Sequence, residues 1–412
     1  MPHQTRRTFL RRMAWAGALA AAGAARAAAL PHPLKQIRIT RIEAASLRGT
    51  RPRLVGRNAR LGVHGRHGSD PVVRLHTDAG ACGWGWSRAK RDAKATRDLL
   101  GKRLADVFDP ATGTRDAFLA FDFPLWDLAG RVLGRPVHAM LGDAGPNPVP
   151  VYDGSIYFDD LDPESGKDRG IAPVLDAVGM GLARGFRAFK VKIGRGHKWM
   201  EKEAGFARDV AVLRAIRDRV GPKVRLLVDA NNGYTPDGAR NLMRRARNLN
   251  LSWFEEPFPE AKDTCLAFRA FLREGTYGTL LADGEGSRRN VEAFTEIVRA
   301  GGIDVVQFDL RGFTLTRWRG YAPVLEETGT VSSPHNWGSH LSGFYIAQFA
   351  RGCGRFALGE VDTMAMPEVL AAGYRLADGM MTVPHAPGFG LDLDEDRFAR
   401  RVKEAGWTLA ME

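Results

Sequence analysis

Eight ionisable side chains stand at the ends of seven successive short apolar runs in this chain: Lys190 and Lys192, Asp229, Glu255, Glu285, Asp309, His335 and Glu360. Acids are rarely buried unless they are paired or bind a metal, so a run ending in one is an uneconomical way to fill a core. A single such residue has a bland explanation, as a helix cap or a satisfied loop histidine. Seven ends in succession do not. Asp229, Glu255 and Glu285 offer oxygen donors of the kind a hard divalent cation needs, and magnesium keeps places in its octahedron for water or substrate. Asp283, in Ala282-Asp283-Gly284-Glu285, competes for the third position, and Glu285 is favoured. Lys190 and Lys192 are two apart and share one face of a strand. Their mutual repulsion predicts a lowered pKa for at least one, and hence a neutral lysine as general base. Asp309 can orient His335 and fix its tautomer. Glu360, if protonated, donates to a developing oxyanion; otherwise it balances the lysines. A lysine base, a metal and a His–Asp pair together suit proton abstraction beside a carboxylate.

The elements that must carry these groups follow a regular strand–helix alternation. Strands are expected at 150–155, 188–193, 224–230, 251–255, 279–283, 304–309, 330–333 and 355–360. Helices are expected between them, the clearest over 201–220, with Phe206, Val210, Leu213 and Ile216 on one face and Gly221 as the stop. The segment 236–249 has the length of a right-handed crossover between two parallel strands. Eight strands at this spacing predict an α/β fold, a barrel with its active site at the carboxyl ends of the strands. An open doubly wound sheet would want a glycine-rich nucleotide turn, and Gly194-Arg195-Gly196 is too little. Before the barrel, residues 35–150 read as an α+β unit: strand-like segments around Ile37–Ile42, Val72–His76 and Gly83–Trp86, then helical periodicity from Arg91 to Leu141. Arg51–Asp70 reads as a long loop rich in glycine and arginine. After Glu360, prolines and glycines from Pro367 to Gly390 break the pattern, so this segment is expected to leave the barrel and pack back on the amino-terminal unit.

The motifs in order are Phe189-Lys190-Val191-Lys192, Val228-Asp229-Ala230-Asn231, Trp253-Phe254-Glu255-Glu256-Pro257, Gly284-Glu285, Gln307-Phe308-Asp309, Ser333-Pro334-His335-Asn336 and Gly359-Glu360. With them the chain resembles the enolase superfamily, specifically its mandelate racemase/muconate lactonizing enzyme branch. The resemblance implies a modified TIM barrel, (β/α)7β, over 151–365. An α+β capping domain over 35–150 is completed by the carboxyl-terminal segment 366–412. It implies one Mg2+ per active site on Asp229, Glu255 and Glu285, and Lys192 as base with Lys190 assisting. On the other face it implies His335 paired with Asp309, with Glu360 as carboxylate-side donor and Asn231 as a substrate contact. Two departures stand out: Phe308 where the family usually has proline, and Gly312-Phe313-Thr314-Leu315-Thr316 where it usually has a Gly-Gly-Ile/Val-Thr turn.

Composition narrows the setting. The first 29 residues carry a Thr5-Arg6-Arg7-Thr8-Phe9-Leu10 start, an apolar run from Met13 to Ala25 and small-residue sites at Ala27 and Ala29. This is the pattern of a twin-arginine-type signal peptide, and it predicts a periplasmic or exported protein with no membrane span after processing. Removing its five arginines from a formal charge of +13 leaves +8. Such a surplus favours a small carboxylate. Nucleic acid is not expected, because no zinc-finger, RNA-binding or arginine–aromatic pattern occurs. Cys82, Cys265 and Cys353 read as free thiols, and a homo-oligomer is expected. Arg51, Arg53, Arg57, Arg60 and Arg66, with His64 and His67, would offer donors to a polyhydroxylated or diacid substrate, or else form an exposed mobile loop. Tyr152, Asp153, Ser155 and Tyr157 at the first strand end also favour a hydroxylated ligand. Acid-sugar dehydration therefore stands ahead of racemisation or epimerisation of a 2-hydroxy acid by Lys192 and His335, and both stand ahead of a non-catalytic exported carboxylate-binding protein.

Overall fold

Residues 32–91 and 96–412 are described by the computed structural model, so the signal expected over 1–29 lies outside the described residues. No helix among the described residues is long and apolar enough to cross a membrane. Two long strands, β1 (Ile39–Val55) and β2 (Gly65–Thr77), pair antiparallel from Ile39 opposite Thr77 to Val55 opposite Gly65. The expected loop at 51–70 is thus largely a strand ribbon, and only its tip at 56–64 turns. Its sequence lacks apolar alternation because the ribbon leaves the cap core and is held by its backbone ladder and by its arginines. β3 (Cys82–Trp86) lies on the far side of β2, and α1 (Asp122–Leu133) covers the sheet.

The chain then alternates as the sequence predicts. The barrel runs β4 (Val149–Ile156), α2 (Ala172–Ala183), β5 (Ala188–Lys192), α3 (Lys202–Val220), β6 (Arg225–Asp229), α4 (Pro236–Arg245), β7 (Leu251–Glu255) and α5 (Lys262–Glu274). It continues with β8 (Leu280–Asp283), α6 (Val291–Arg299), β9 (Val305–Val306), α7 (Leu315–Thr328), β10 (Val331–Ser332), α8 (His340–Gly352) and β11 (Gly359–Val361). Neighbouring strands are parallel, and β11 returns to pair with β4, Glu360 opposite Tyr152. A Ser332–Phe356 bridge closes the ring on the other side. α3 shows why these segments are helices. Glu201 caps it by accepting from the backbone of Glu203 and Ala204, Phe206, Val210, Leu213 and Ile216 face inward, and Gly221 at φ 71° ends it.

Inside the barrel, Tyr152, Ala188, Leu227, Trp253, Leu280 and Val305 form a sealed plug beneath the strand ends. Burying each large apolar side chain there contributes roughly 1.5–3 kcal/mol, and the plug leaves polar chemistry one place to go, the carboxyl-terminal rim. After β11 no barrel helix follows. A hairpin, β12 (Arg375–Ala377) and β13 (Met380–Thr382), sits against β4. α9 (Glu395–Ala405) then leads into β14 (Trp407–Ala410), which pairs antiparallel with β1 at the edge of the cap sheet.

The segments that depart from the family pattern serve the core. Phe308 packs among Phe294, Phe313, Trp318 and Tyr321. Thr316 accepts from Trp126 Nε1 at 3.0 Å and from the Thr114 backbone at 2.9 Å, joining α7 to the cap.

Candidate active site

Register brings the site together. Lys192 lies opposite Asp229, and Asp229 opposite Glu255, so three inward side chains stand side by side at one level of the sheet. Lys190, one layer deeper, places Nζ 2.7 Å from Glu255 Oε1, 2.9 Å from Glu360 Oε1 and 3.5 Å from Asp229 Oδ2. Lys192 Nζ donates to Asp229 Oδ2. The second oxygen of Glu255 accepts from Gln307 Nε2 at 2.9 Å, and that of Asp229 from the Asn231 backbone at 2.9 Å. Across the mouth, His335 Nδ1 is 3.2 Å from Asp309 Oδ2, while Nε2 looks inward, 3.4 Å from Glu285 and 3.9 Å from Glu360. Contacts therefore link Lys192, Asp229, Lys190, Glu360, His335 and Glu285 in one chain across the mouth.

Local structure explains the dyad. A backbone bridge extends past the strands, the Leu310 amide donating to the His335 carbonyl at 3.1 Å and the His335 amide to the Phe308 carbonyl at 3.3 Å. Asp309 also caps the short helix at Leu310–Phe313, its Oδ1 accepting from Gly312. It thus fills the structural role of a cap and the functional role of an imidazole partner with different oxygens. Burial pushes its carboxyl up, but the bond to His335 and the charge of Arg311 outweigh this and hold it well below the usual range. Burial alone would lower His335; Glu285, Glu360 and the bond to Asp309 instead raise it to about 9.

For Lys190 the structure does not give the lowering that lysine repulsion predicts. Burial does oppose the charge on Lys190, yet Glu255, Glu360 and Asp229 leave its pKa well above the ordinary value. The acids arrive from strands across the barrel, which spacing along one strand cannot show. Glu360 accepts from the Asn336 backbone through Oε2 at 2.7 Å, and its Oε1 forms an ion pair with Lys190 Nζ at 2.9 Å. It therefore balances Lys190 rather than standing free as a donor. Room for it comes from Gly154, where an added Cβ would lie 2.2 Å from Glu360 Oε1.

The other expected residues divide. Asn231 adjoins the acids, its side chain reaching Glu256 Oε2 at 3.4 Å. Tyr152 belongs to the barrel plug, edge-on to Trp253 and with Nζ of Lys190 5.7 Å from its ring centre. Ser155 donates to Asp153 Oδ1 at 2.5 Å and lies within 3.4 Å of Arg53, so it fastens the cap rather than facing the mouth. Tyr157 does overlook the site: Lys192 Nζ is 5.2 Å from its ring, and His64 and Trp337 pack against it, each with centroids 4.7 Å away.

Four of the five ribbon arginines are neither free donors nor part of a loose loop; Arg66 is exposed and reaches only the Pro52 carbonyl at 3.4 Å. Arg51 makes a buried two-point pair with Asp362 at 3.0 and 2.7 Å and lies over Trp337. Arg53 reaches Asp159 at 2.7 Å, Arg57 the carbonyls of Asp162 and Pro163, and Arg60 the carbonyl of Asn231 at 2.7 Å. Sequence reasoning missed Gln307, Glu256, Asn336, Trp337 and Gly154 as parts of the site. Trp337 could have been found from its place two residues beyond His335.

The donor set suits a hard cation in its chemistry. Glu256 and Asp283 are pushed well above the usual carboxylate range, first by burial and then by their acidic neighbours, among them Glu285, Glu260, Asp229 and Glu255. Glu255 itself is raised to about 7 by burial, against Lys190 and with Asp229 and Glu360. The acids at the strand ends thus outnumber the two lysines, and Asp229, Glu255 and Glu285 all offer oxygen. Glu256, at φ 40°, and Asn231 and Asn232, at 44° and 60°, also hold left-handed backbone here, a strain of about 1–3 kcal/mol each of the kind that collects at functional sites. Among the described residues, no three His, Cys, Asp or Glu groups converge as a ready cage; Asp229, Glu255 and Glu285 face lysine and histidine instead.

A barrel with acids at three consecutive strand ends, flanked by lysines on one side and a His–Asp pair on the other, defines an enzyme of carbanion chemistry beside a carboxylate. The chain belongs to the enolase superfamily, in its mandelate racemase/muconate lactonizing enzyme branch: the model for enolase C-terminal domain-like proteins matches residues 174–397, and its cofactor is magnesium. The chain is 30% identical over 286 residues to 3,6-anhydro-alpha-L-galactonate cycloisomerase of Streptomyces coelicolor, 69% of this chain and 71% of that protein. It resembles the crystal structure of galacturonate dehydratase from a Geobacillus species with TM-score 0.83 and 30% identity, covering 91% of this chain and 99% of the other. A mandelate racemase/muconate lactonizing protein from Geobacillus, complexed with magnesium and tartrate, gives TM-score 0.83 and 31% identity over 92% of this chain and 98% of its own.

Proposed function

We propose that this enzyme dehydrates an acid sugar. Lys192 removes the proton alpha to the carboxylate, and the electron pair passes into the carboxylate to give an enediolate. Collapse of the enediolate expels the β-hydroxyl, which takes a proton from His335 and leaves as water; the resulting enol becomes a 2-keto-3-deoxy acid. One observation carries this reading. His335, oriented by Asp309 at 3.2 Å, faces the site through Nε2 from the side opposite the lysines, so a group able to deliver a proton stands across from the one that removes it. Lys190, kept charged by three carboxylates, provides fixed positive charge rather than a base. Asp229, Glu255 and Glu285 would hold magnesium, which supplies positive charge against the substrate carboxylate when bound. The dehydratase among the structural relatives and the sugar-acid cycloisomerase among the sequence relatives support the substrate class.

A panel of aldonic, aldaric and uronic acids, incubated with enzyme and magnesium in D2O, tests the reading. A 2-keto-3-deoxy product supports it. Deuterium at the alpha carbon without net product would replace it with racemisation or epimerisation, a rearranged lactone with cycloisomerisation, and no exchange with any acid with carboxylate binding. Export completes the proposal: the paired Arg6 and Arg7 and the apolar run behind them suit the twin-arginine route. Amino-terminal sequencing of the secreted form should begin near residue 30; a full-length cytoplasmic product would remove export.

A further inference from the structure

The tip of the cap ribbon docks on the two strand ends that carry the proposed base and a proposed metal ligand. Ala59 is buried between Gly194, which follows Lys192, and Gly233, which follows Asp229; an added Cβ at either glycine would lie 3.0 Å from the Ala59 methyl. Trp199 Nε1 donates to the Asn58 carbonyl at 2.6 Å, and Lys198 Nζ to the Arg60 carbonyl at 3.3 Å. Asn58 in turn folds the tip, its side-chain oxygen accepting from the Arg60 and Leu61 amides at 3.0 and 2.7 Å. From this anchored turn Arg60 reaches across to the barrel. Its Nε donates to the Asn231 carbonyl at 2.7 Å and its Nη2 to the Asn232 carbonyl at 3.3 Å. The same Asn231 gives its amide to Asp229 Oδ1 at 2.9 Å.

One residue therefore has its carbonyl held by the cap and its amide holding the carboxylate. Asn231 and Asn232 are both in left-handed backbone, at φ 44° and 60°, a conformation that persists only where surrounding contacts impose it. Two carbonyls bound by one guanidinium are such a contact. We propose that Arg60 is a positioning residue: through its bond to the Asn231 carbonyl it fixes the Asp229 carboxylate for the divalent cation, so that this one contact, rather than docking of the ribbon in general, is coupled to metal affinity. This rests on the assignment of Asp229 to magnesium made above. Groups that orient a ligand from behind typically change metal affinity by about 10–100-fold when removed. Because Arg60 is exposed at the rim, the lower end of that range is expected.

The test compares Arg60→Met, Arg60→Lys and Arg57→Met, each stripped with EDTA and titrated with magnesium chloride by calorimetry. Arg57 is the matched control, since it also clamps the ribbon to the barrel but through the carbonyls of Asp162 and Pro163. Arg60→Met should weaken magnesium binding about tenfold, Arg60→Lys should recover most of the loss, and Arg57→Met should bind as wild type does. Hydrogen exchange gives a readout that needs no metal: the Asn231 amide should exchange faster in Arg60→Met and not in Arg57→Met. Wild-type affinity in Arg60→Met, or equal weakening in Arg57→Met, overturns the proposal. If wild type itself binds no magnesium while Asn231 exchange still responds to Arg60, the metal assignment fails and the mechanical link to Asp229 survives.

Discussion

Gly154→Ala is the smallest change that tests how the site is packed. An ideal Cβ at 154 lies 2.2 Å from Glu360 Oε1 and 3.0 Å from Glu360 Cδ and Cγ. Unstrained contacts between such atoms begin at about 3.5 Å, so the carboxylate must withdraw by roughly 1 Å. It has little freedom to do so: Glu360 is 1% exposed, Oε2 is held by the Asn336 amide at 2.7 Å and Oε1 lies 2.9 Å from Lys190 Nζ. A withdrawal of that size carries the Lys190 contact beyond hydrogen-bond range and forces strain on β4. The expected cost is about 1–3 kcal/mol of stability, as for other overpacked cores. A misplacement of about 1 Å among catalytic groups also lowers turnover by about 100-fold.

Urea denaturation reads the first effect as a lower midpoint at unchanged slope, and keto-acid formation from the preferred acid sugar reads the second. The double variant Gly154→Ala, Glu360→Asp separates them. Shortening the acid removes the overlap and should restore most of the stability while leaving turnover low. A Gly154→Ala enzyme with wild-type midpoint and turnover within about threefold would show that the strand has room, and that Glu360 is not confined as argued.

Other outcomes follow from the same geometry. Arg51→Met leaves Asp362 buried with only the amides of Gly338 and Met364 and should lower stability by about 3–5 kcal/mol, read by urea denaturation; a loss under about 1 kcal/mol would mean the pair is no clamp. Lys192→Met and His335→Asn should each reduce kcat by about 10²–10⁴-fold with unchanged circular dichroism, and near-wild-type rates in either would remove that residue from the chemistry. Magnesium should raise the Tm of EDTA-treated enzyme, by about 2.7 kcal/mol of stability at a hundred times its Kd, whereas a flat titration would speak against the cation. On the cap sheet, burial raises Glu43, but His76 and Arg74 prevail and hold it at about 2; burial lowers His76, yet Cys82 and Glu43 leave it above 6.5. The Glu43 contribution is present above its unfolded pKa near 4.5 and is lost as pH falls towards 2. That of His76 is present below 6.5 and is lost as pH rises past its raised value. The Tm difference between wild type and His76→Ala should therefore be greatest at about pH 5–6 and shrink in alkali; a difference that grows with pH would reverse the assignment.

What the sequence made legible follows from the range of each interaction. A strand end is written locally, in a short apolar run and the charge that stops it, so the eight groups of the rim could be read residue by residue. Their order around the barrel followed from the crossovers. Tyr152 was harder, because β4 is buried on nearly every side and nothing in its pattern tells a plug residue from a rim residue. Ser155 was misplaced because its partner, Asp153, turns it towards Arg53.

Partners far apart in sequence were illegible for a physical reason. Arg51 finds Asp362 311 residues away, and Lys190 finds Glu255 65 residues on; no local rule assigns those pairs. Spacing alone made Lys190 a candidate for depressed basicity and made the ribbon arginines candidates for substrate. Once the fold supplies the acids, both conclusions reverse on one principle. A buried cation keeps its charge where carboxylates converge on it, and a guanidinium already bound to the barrel is no longer available to a ligand. With Arg51, Arg53, Arg57 and Arg60 tied to the barrel, the burden of recognition shifts to what remains around the mouth: His64, Tyr157 and Trp337, with the paired charges beneath them. Substrate discrimination is then expected to respond to those three rings, which touch one another.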